Sequence, residues 1–217
     1  MKIDANSVTF EPQDMAFVKK FGILKATEMV LDYHAEHPNL PFLYDAEQLA
    51  GFLGISRGEL NDIVNHIQKE YKETRLPKKD GTYRSLCVPS IRLRFCQDPI
   101  KEKILPQLPV SKFATAYQKG STTRGNAEPH IGKKFLLKLD ITDFFGSITF
   151  EQVQRTAFNT RYVSRQVGYL LTSLCCKDDS LPQGAATSPA LSNIVMYRFD
   201  DYIGRWCSQR QIAYTRY

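Results

Sequence analysis

Apolar positions in the first third of the chain recur at helical spacing. Phe17, Phe21, Leu24 and the pair Val30-Leu31 fall near one helical face, and Pro38 and Pro41 then interrupt the pattern. Asp45 is placed to cap a second helix carrying Leu49, Phe52 and Leu53. Gly54-Ile55-Ser56 turns the chain into a third helix with Leu60, Ile63, Val64 and Ile67. Residues 71–89 change to short extended pieces around Lys78-Lys79-Asp80-Gly81, and Asp-Gly between strand formers marks a hairpin tip. Residues 91–108 return to helical spacing through Leu93, Phe95, Cys96, Ile100, Ile104 and Leu105, and residues 120–132 are loop-rich.

The clearest strand pattern lies at residues 135–141. Phe135, Leu137, Leu139 and Ile141 share one face, which can be buried; Leu136, Lys138 and Asp140 share the other. Asp140 therefore falls near the strand's end, on the side where a cleft can lie. Thr149 and Gln152 form a capping box for a helix through Val153 and Phe158, and Ser164 starts another through Val167, Leu170, Leu171 and Leu174. Ser188 as N-cap with Pro189 at the first helical position predicts a long helix through Leu191, Ile194, Val195, Phe199, Tyr202 and Ile203. Residues 212–217 read as a further strand.

Charge changes this picture more than composition does. The 217 residues are 42% hydrophobic and 24% charged, ordinary for a globular protein long enough for a sizeable core. Residues 1–68 carry 5 basic and 10 acidic side chains, net −5; residues 69–139 carry 16 and 6, net +10; residues 140–217 carry 8 and 7, net +1. A basic middle third is the footprint of a phosphate-rich partner or, equally, a solvated basic face. Residues 49–60 have a helix-turn-helix pattern, but they sit in the acidic third, which favours a helical cap on the next domain over a reader of DNA. The five cysteines, with no C-x-x-C, suggest reduced thiols rather than a disulfide or zinc framework. His34 and His37, three apart, mark a helix end before Pro38 rather than a zinc site. No apolar run is long enough to span a bilayer, and residues 1–4 lack a signal-peptide layout, so the cytoplasm is the default expectation.

Candidate chemistry begins with Asp140, followed by Ile141-Thr142-Asp143-Phe144-Phe145. A carboxylate at a strand end suits magnesium, yet one carboxylate cannot hold the ions of a two-metal phosphoryl transfer, and alone Asp140 reads as a strand-end cap rather than a metal ligand. Residues 181–189, Leu-Pro-Gln-Gly-Ala-Ala-Thr-Ser-Pro, offer a glycine for close backbone approach, the bifunctional amide of Gln183 and a following helix N-terminus. An ordinary capped loop has the same residues.

Together, and in this order, these segments resemble the reverse transcriptases of the retron and group II intron lineage. Residues 138–148 resemble their first palm motif, residues 181–189 their Pro-Gln-Gly motif, and Asn126-Ala127-Glu128-Pro129-His130 the N-A-x-x-H signature of retron enzymes. Residues 214–217 look like the run into the Tyr-x-Asp-Asp hairpin, with Tyr217 as its tyrosine. The resemblance implies an α+β right-hand polymerase: an N-terminal helical cap over residues 1–68, fingers over about 69–133 and 150–182, palm over about 134–149 and 183–217, and no thumb. It implies an RNA-directed DNA polymerase, a nucleotidyltransferase using two Mg2+ ions and dNTPs. Such an enzyme copies a structured noncoding RNA into branched, RNA-linked single-stranded DNA, in anti-phage defence beside an effector protein. By the same resemblance Asp140 binds the catalytic magnesium with the Ile141 carbonyl beside it, and Phe145 is the steric gate against ribonucleotides. Asp143 and Phe144 offer backbone N–H groups to the triphosphate; Lys78 or Lys79 with Arg84 grips it; Gln183 lines the nucleotide pocket. Asn126 and His130 are candidate RNA contacts.

Two departures stand out. Ala186 replaces a common proline, with little expected consequence. The two aspartates expected after Tyr217 are absent, and neither Asp178-Asp179, read as a turn, nor Asp200-Asp201, read as flanking a helix's apolar stripe, replaces them. The chain as given is therefore expected not to polymerise alone. A non-catalytic module binding structured RNA is the alternative, and a DNA-binding regulator built on residues 45–67 is disfavoured by charge. Residues 120–125 superficially suggest a P-loop, but Asn126 stands where lysine is required.

Overall fold

A computed structural model of the chain describes residues 2–4, 7–77, 81 and 83–217. A short antiparallel pair, β1 (Lys2–Asp4) and β2 (Ser7–Thr9), leads into α1 (Met15–Phe21) and α2 (Ile23–Glu36). The first helical pattern is split because Gly22 takes φ 78°, a conformation outside the helix. Helix α3 (Ala46–Leu53) starts where expected: the Asp45 carboxylate accepts the Glu47 and Gln48 N–H groups at 3.0 and 2.9 Å. Helix α4 (Arg57–Asn65) comes after a short turn at Gly54.

The main core is helical. Leu49 and Leu53 of α3 and Leu60 and Ile63 of α4 share one buried cluster with later elements. These are α5 (Ile91–Pro99), α7 (Phe150–Thr156), α8 (Arg165–Cys175) and α9 (Ser188–Ser208), which contribute Leu93, Val153, Leu171 and Leu191. The helix-turn-helix pair thus packs as a lid on α5 and α8, and the buried faces of α3 and α4 are the ones its apolar spacing marked. Phe17, Ala26 and Val30 form a separate, smaller cluster with Phe21, Phe42 and Tyr44 around it.

Strands β3 (Tyr71–Pro77) and β4 (Tyr83–Pro89) pair antiparallel from Tyr71↔Pro89 to Pro77↔Tyr83. Lys78, Lys79 and Asp80 lie outside the described residues. The hairpin's base is buried at Tyr71 and Pro89, while residues 72–77 and 83–85 are exposed, so it projects from the core. Gln97 of α5 holds that base: its side-chain amide donates to the Tyr71 hydroxyl and the Leu174 carbonyl at 3.0 and 2.8 Å. Pro99 ends α5, because it has no N–H for the ladder. The chain continues as a π turn over Ile100–Ile104 and a 3-10 turn over Leu105–Gln107. The loop-rich stretch contains the short helix α6 (Thr123–Ala127).

Four sequence expectations are corrected. Residues 135–141 are not a paired strand, and their apolar face is not buried: Phe135 is 91% exposed and Leu137 and Leu139 are 80% exposed. Alternation creates a face that can be covered, but no strand among the described residues lies alongside to cover it. Residues 212–217 are likewise not a strand; one parallel bridge, Ala114↔Arg216, holds them. Thr187, not Ser188, occupies the N-cap of α9, and the Ser188 hydroxyl donates to the Pro182 carbonyl at 2.7 Å. Asp200 does not flank the apolar stripe of α9 but is wholly buried.

The partner of Asp200 is Arg216. The Arg216 Nε lies 2.9 and 3.0 Å from the two Asp200 carboxylate oxygens, and Nη2 donates to Asp200 Oδ2 at 2.6 Å and to Asn193 Oδ1 at 2.9 Å. The Tyr214 hydroxyl also donates to Asp200, at 2.9 Å, and burial together with this carboxylate pushes its pKa up. A buried charge without its partner is costly, so Asp200→Ala is expected to lose about 3–5 kcal/mol of stability in urea unfolding. The double variant Asp200→Ala, Arg216→Leu should recover part of that loss; no recovery would mean that the charges are not coupled.

Burial also sets an alkaline limit. It pushes the Cys96 thiol from 9.0 up to about 11 and the Cys175 thiol up to about 12. An unfolded thiol therefore ionises before a folded one, and stability present below pH 9.0 is lost as pH rises toward 11. The urea midpoint should fall across that range, and fall less in Cys96→Ala. A slope unchanged by that substitution would contradict the assignment.

Candidate functional site

The segment from Asp140 to Ile148 is an irregular stretch that closes in a tight turn, with Asp140 and Ile141 exposed before it. Asp143 then turns the chain with φ 46°, and its carbonyl accepts the Ser147 N–H at 2.9 Å. A Cβ at Gly146 would meet the Asp143 carboxylate, which would have to swing aside. The turn sets Phe144 and Phe145 half-buried against the main core with ring centroids 5.5 Å apart. The guanidinium of Arg216 lies 5.7 Å from the Phe144 ring, so the buried Asp200 pair also backs this turn.

The loop at residues 181–184 joins this turn to the hairpin. The Leu181 N–H donates to the Ile148 carbonyl at 3.0 Å, and the Cys87 N–H of β4 donates to the Gln183 carbonyl at 2.7 Å. Gly184, expected to let backbone approach a ligand, instead brings the loop close to the hairpin: it has φ 122°, and a Cβ there would lie 2.9 Å from the Cys87 carbonyl oxygen. Lys177 adds a second tie, donating to Glu73 of β3 at 2.9 Å and lying 2.9 Å from Asp178. These hydrogen bonds hold its ammonium pKa above the usual lysine value. Asp178 and Asp179 form the expected turn, at φ 48° and 58°. Gln183 is exposed beside this junction, and Arg84 is exposed on β4, opposite Leu76.

Asn126 and His130 lie on the other side of the turn and are engaged within the chain. The Thr115 hydroxyl donates to Asn126 Oδ1 at 2.6 Å, and His130 Nε2 is 2.8 Å from the Thr215 hydroxyl. They connect α6 and the turn after it to residues 113–116 and 214–216. Sequence reasoning missed the hub of this network. Arg216 donates its N–H to the Phe113 carbonyl at 2.9 Å, and its carbonyl accepts from the Thr115 N–H at 2.7 Å. Asn193 donates to the Ala116 carbonyl at 2.8 Å. An arginine beside a tyrosine carries no sequence signal of burial, and Asp200, read as flanking the apolar stripe of α9, gave none either.

Chemically, the arrangement offers oxygen ligands and free amides. Asp140 has no hydrogen bond or ion pair with the described residues, and the N–H groups of Asp143 and Phe144 have no acceptor among them. An exposed carboxylate and the neighbouring Ile141 carbonyl fit a hard divalent cation as part of its ligand set. Among the described residues no group of three or more acidic, histidine or cysteine side chains is gathered to complete it.

The docking of loop on hairpin is directly testable. Gly184→Ala is expected to cost about 1–3 kcal/mol, the scale of a side chain forced into a disfavoured backbone region. It should also speed hydrogen exchange at the Cys87 N–H, measured by NMR. Unchanged exchange at Cys87 would show that the loop does not hold the hairpin.

Comparison with known proteins agrees with the motif order. The family model described as reverse transcriptase (RNA-dependent DNA polymerase) matches residues 76–217. The retron Ec86 reverse transcriptase of Escherichia coli is 30% identical over 196 residues, covering 89% of this chain and 61% of that protein. The retron Mx65 reverse transcriptase of Myxococcus xanthus is 32% identical over 200 residues, covering 82% and 47%. The retron Ec83 reverse transcriptase of Escherichia coli is 33% identical over 156 residues, covering 68% and 50%. The chain thus spans between 47% and 61% of the length of these relatives. With that match covering β4, the Asp140 turn and the Pro-Gln-Gly loop together, the chain belongs to the reverse transcriptase family, and to its retron type.

Proposed function

We propose that this chain is the nucleotide-binding part of an RNA-directed DNA polymerase that copies a structured noncoding RNA. The observation that carries the reading is the hydrogen-bonded continuity from β4 through Gln183 and Leu181 to Ile148. It brings an exposed cationic hairpin, an amide-bearing loop and a carboxylate-bearing turn to one place, inside a family match. In this reading the cap is residues 1–68, the fingers are about 69–133 and 150–182, and the palm is about 134–149 and 183–217. Asp140 and the Ile141 carbonyl would hold magnesium, and the family uses two such ions with further carboxylates. When bound, the metal supplies charge stabilisation at the reacting phosphate.

The chain's own residues do the rest. Arg84, with Lys78 or Lys79, neutralises the incoming triphosphate from the hairpin, arginine by its planar fork and lysine as a point charge. The free N–H groups of Asp143 and Phe144 donate to phosphate oxygens. Phe145 lies under the sugar and excludes a 2′-hydroxyl by its bulk, and Gln183 lines the pocket beside it. Asn126 and His130 fix the wall along which RNA runs. A branched RNA–DNA product, dNTP substrates and a role in anti-phage defence with an effector protein complete the proposal, and membership of the retron type supports them. Among the described residues no helix is long and apolar enough to cross a membrane.

The test uses the full-length protein with Mg2+, dNTPs and a structured RNA template. DNA synthesis is expected, and Asp140→Asn should lower it roughly a thousandfold, the scale of several kcal/mol of metal charge stabilisation, while RNA binding stays intact. The 217-residue polypeptide alone should bind RNA with a strong salt dependence and make no DNA. RNA binding without synthesis by the full-length protein would favour the non-catalytic module instead.

A further inference from the structure

We propose that Tyr117 is a positioning residue for the sugar-reading ring of Phe145, holding it from the solvent side so that ribonucleotides are rejected. The inference rests on the reading of Phe145 as a steric gate.

Tyr117 has φ 57°, in the left-handed region where a bulky aromatic residue is rare. Its neighbours impose that conformation from both sides. The Ala116 carbonyl accepts from Asn193 at 2.8 Å, and the Thr115 N–H donates to the Arg216 carbonyl at 2.7 Å. The Gln118 side-chain amide donates to the Ala114 carbonyl. Strain kept in place by surrounding contacts is the pattern of functional sites rather than of cores. The ring is 56% exposed, so burial does not explain it.

The ring neighbour of Tyr117 among the described residues is Phe145, with centroids 6.3 Å apart and planes at 48°. Phe145 also meets the Phe144 ring, with centroids 5.5 Å apart, and Phe144 lies beside Arg216. A ring that reads a 2′-hydroxyl by bulk must not swing away when the hydroxyl presses on it. Phe144 blocks that movement toward the core, and Tyr117 blocks it toward solvent. Discrimination then depends on the stiffness of the stack, which starts at the buried Asp200 pair and ends at an exposed tyrosine.

The experiment measures kcat/KM for a dNTP and the matching rNTP in the full-length enzyme, with Mg2+ and an RNA template. The variants are Phe145→Ala, Tyr117→Phe and Tyr117→Asn. Asparagine tolerates a left-handed backbone, so Tyr117→Asn should fold with an unchanged melting temperature. It should nevertheless lower the dNTP-over-rNTP ratio roughly tenfold, the worth of one aromatic pair, through more efficient rNTP use. Tyr117→Phe keeps the ring and should keep the ratio. A collapsed ratio in Phe145→Ala with an unchanged ratio in Tyr117→Asn would overturn the inference and leave the gate standing. An unchanged ratio in Phe145→Ala would remove the gate itself, and the inference with it.

Discussion

A buried carboxylate that must be paired organises the part of this molecule that carries the candidate site. Asp200 sits in α9 with no access to water, and the arginine that neutralises it comes from residue 216. Meeting that demand draws residues 214–216 against α9 and, through the Arg216 main chain, fixes residues 113–115 alongside. The same guanidinium reaches Asn193 and the Phe144 ring. Such a pair adds little net stability, because desolvation offsets most of the attraction. Its consequence is placement: four segments distant in sequence have one arrangement that leaves no charge stranded.

The hairpin is placed by a different kind of constraint. No apolar face glues residues 72–77 to the core, since they are exposed. Backbone contact at Cys87 and the Lys177–Glu73 tie hold the base and middle, and Gly184 makes the approach possible by having no side chain. The positive charge that dominates residues 69–139 is therefore carried partly on an arm that leaves the core rather than on a wall of it. Charges on such an arm keep their hydration until a phosphate arrives.

Much of this was legible in the sequence, because caps and turns are local. Asp45, Thr149 and Ser164 begin their helices as their side chains dictate, and the apolar spacings of α3, α4 and α8 mark the faces that are buried. What failed was non-local. Alternation at residues 135–141 describes a face, and no strand among the described residues lies beside it. Ser188 looked like a cap but lies one residue inside the helix, its hydroxyl donating to the Pro182 carbonyl, six residues back through a loop whose path the sequence does not state. The candidate site was legible as a set of residues and not as a geometry. Nothing local told that Asn126 and His130 would be engaged by Thr115 and Thr215, or that Tyr117 would face Phe145.

The site divides by stiffness in a way that suits its proposed tasks. Its ring-bearing part, residues 143–148 with the loop at 181–184, is tied by backbone hydrogen bonds and backed by the Asp200 pair. Its charge-bearing parts, Asp140 on an irregular stretch and Arg84 on a projecting strand, are exposed. Reading one hydroxyl is a matter of ångströms, and a wall that yields reads nothing, so the rings need the rigid scaffold. Attraction between opposite charges falls off over a Debye length, about 8 Å at physiological salt, and tolerates movement in the groups that carry it. A fold that sets its buried ion pair behind the rings and leaves the Arg84 cation at the periphery has put order where geometry discriminates.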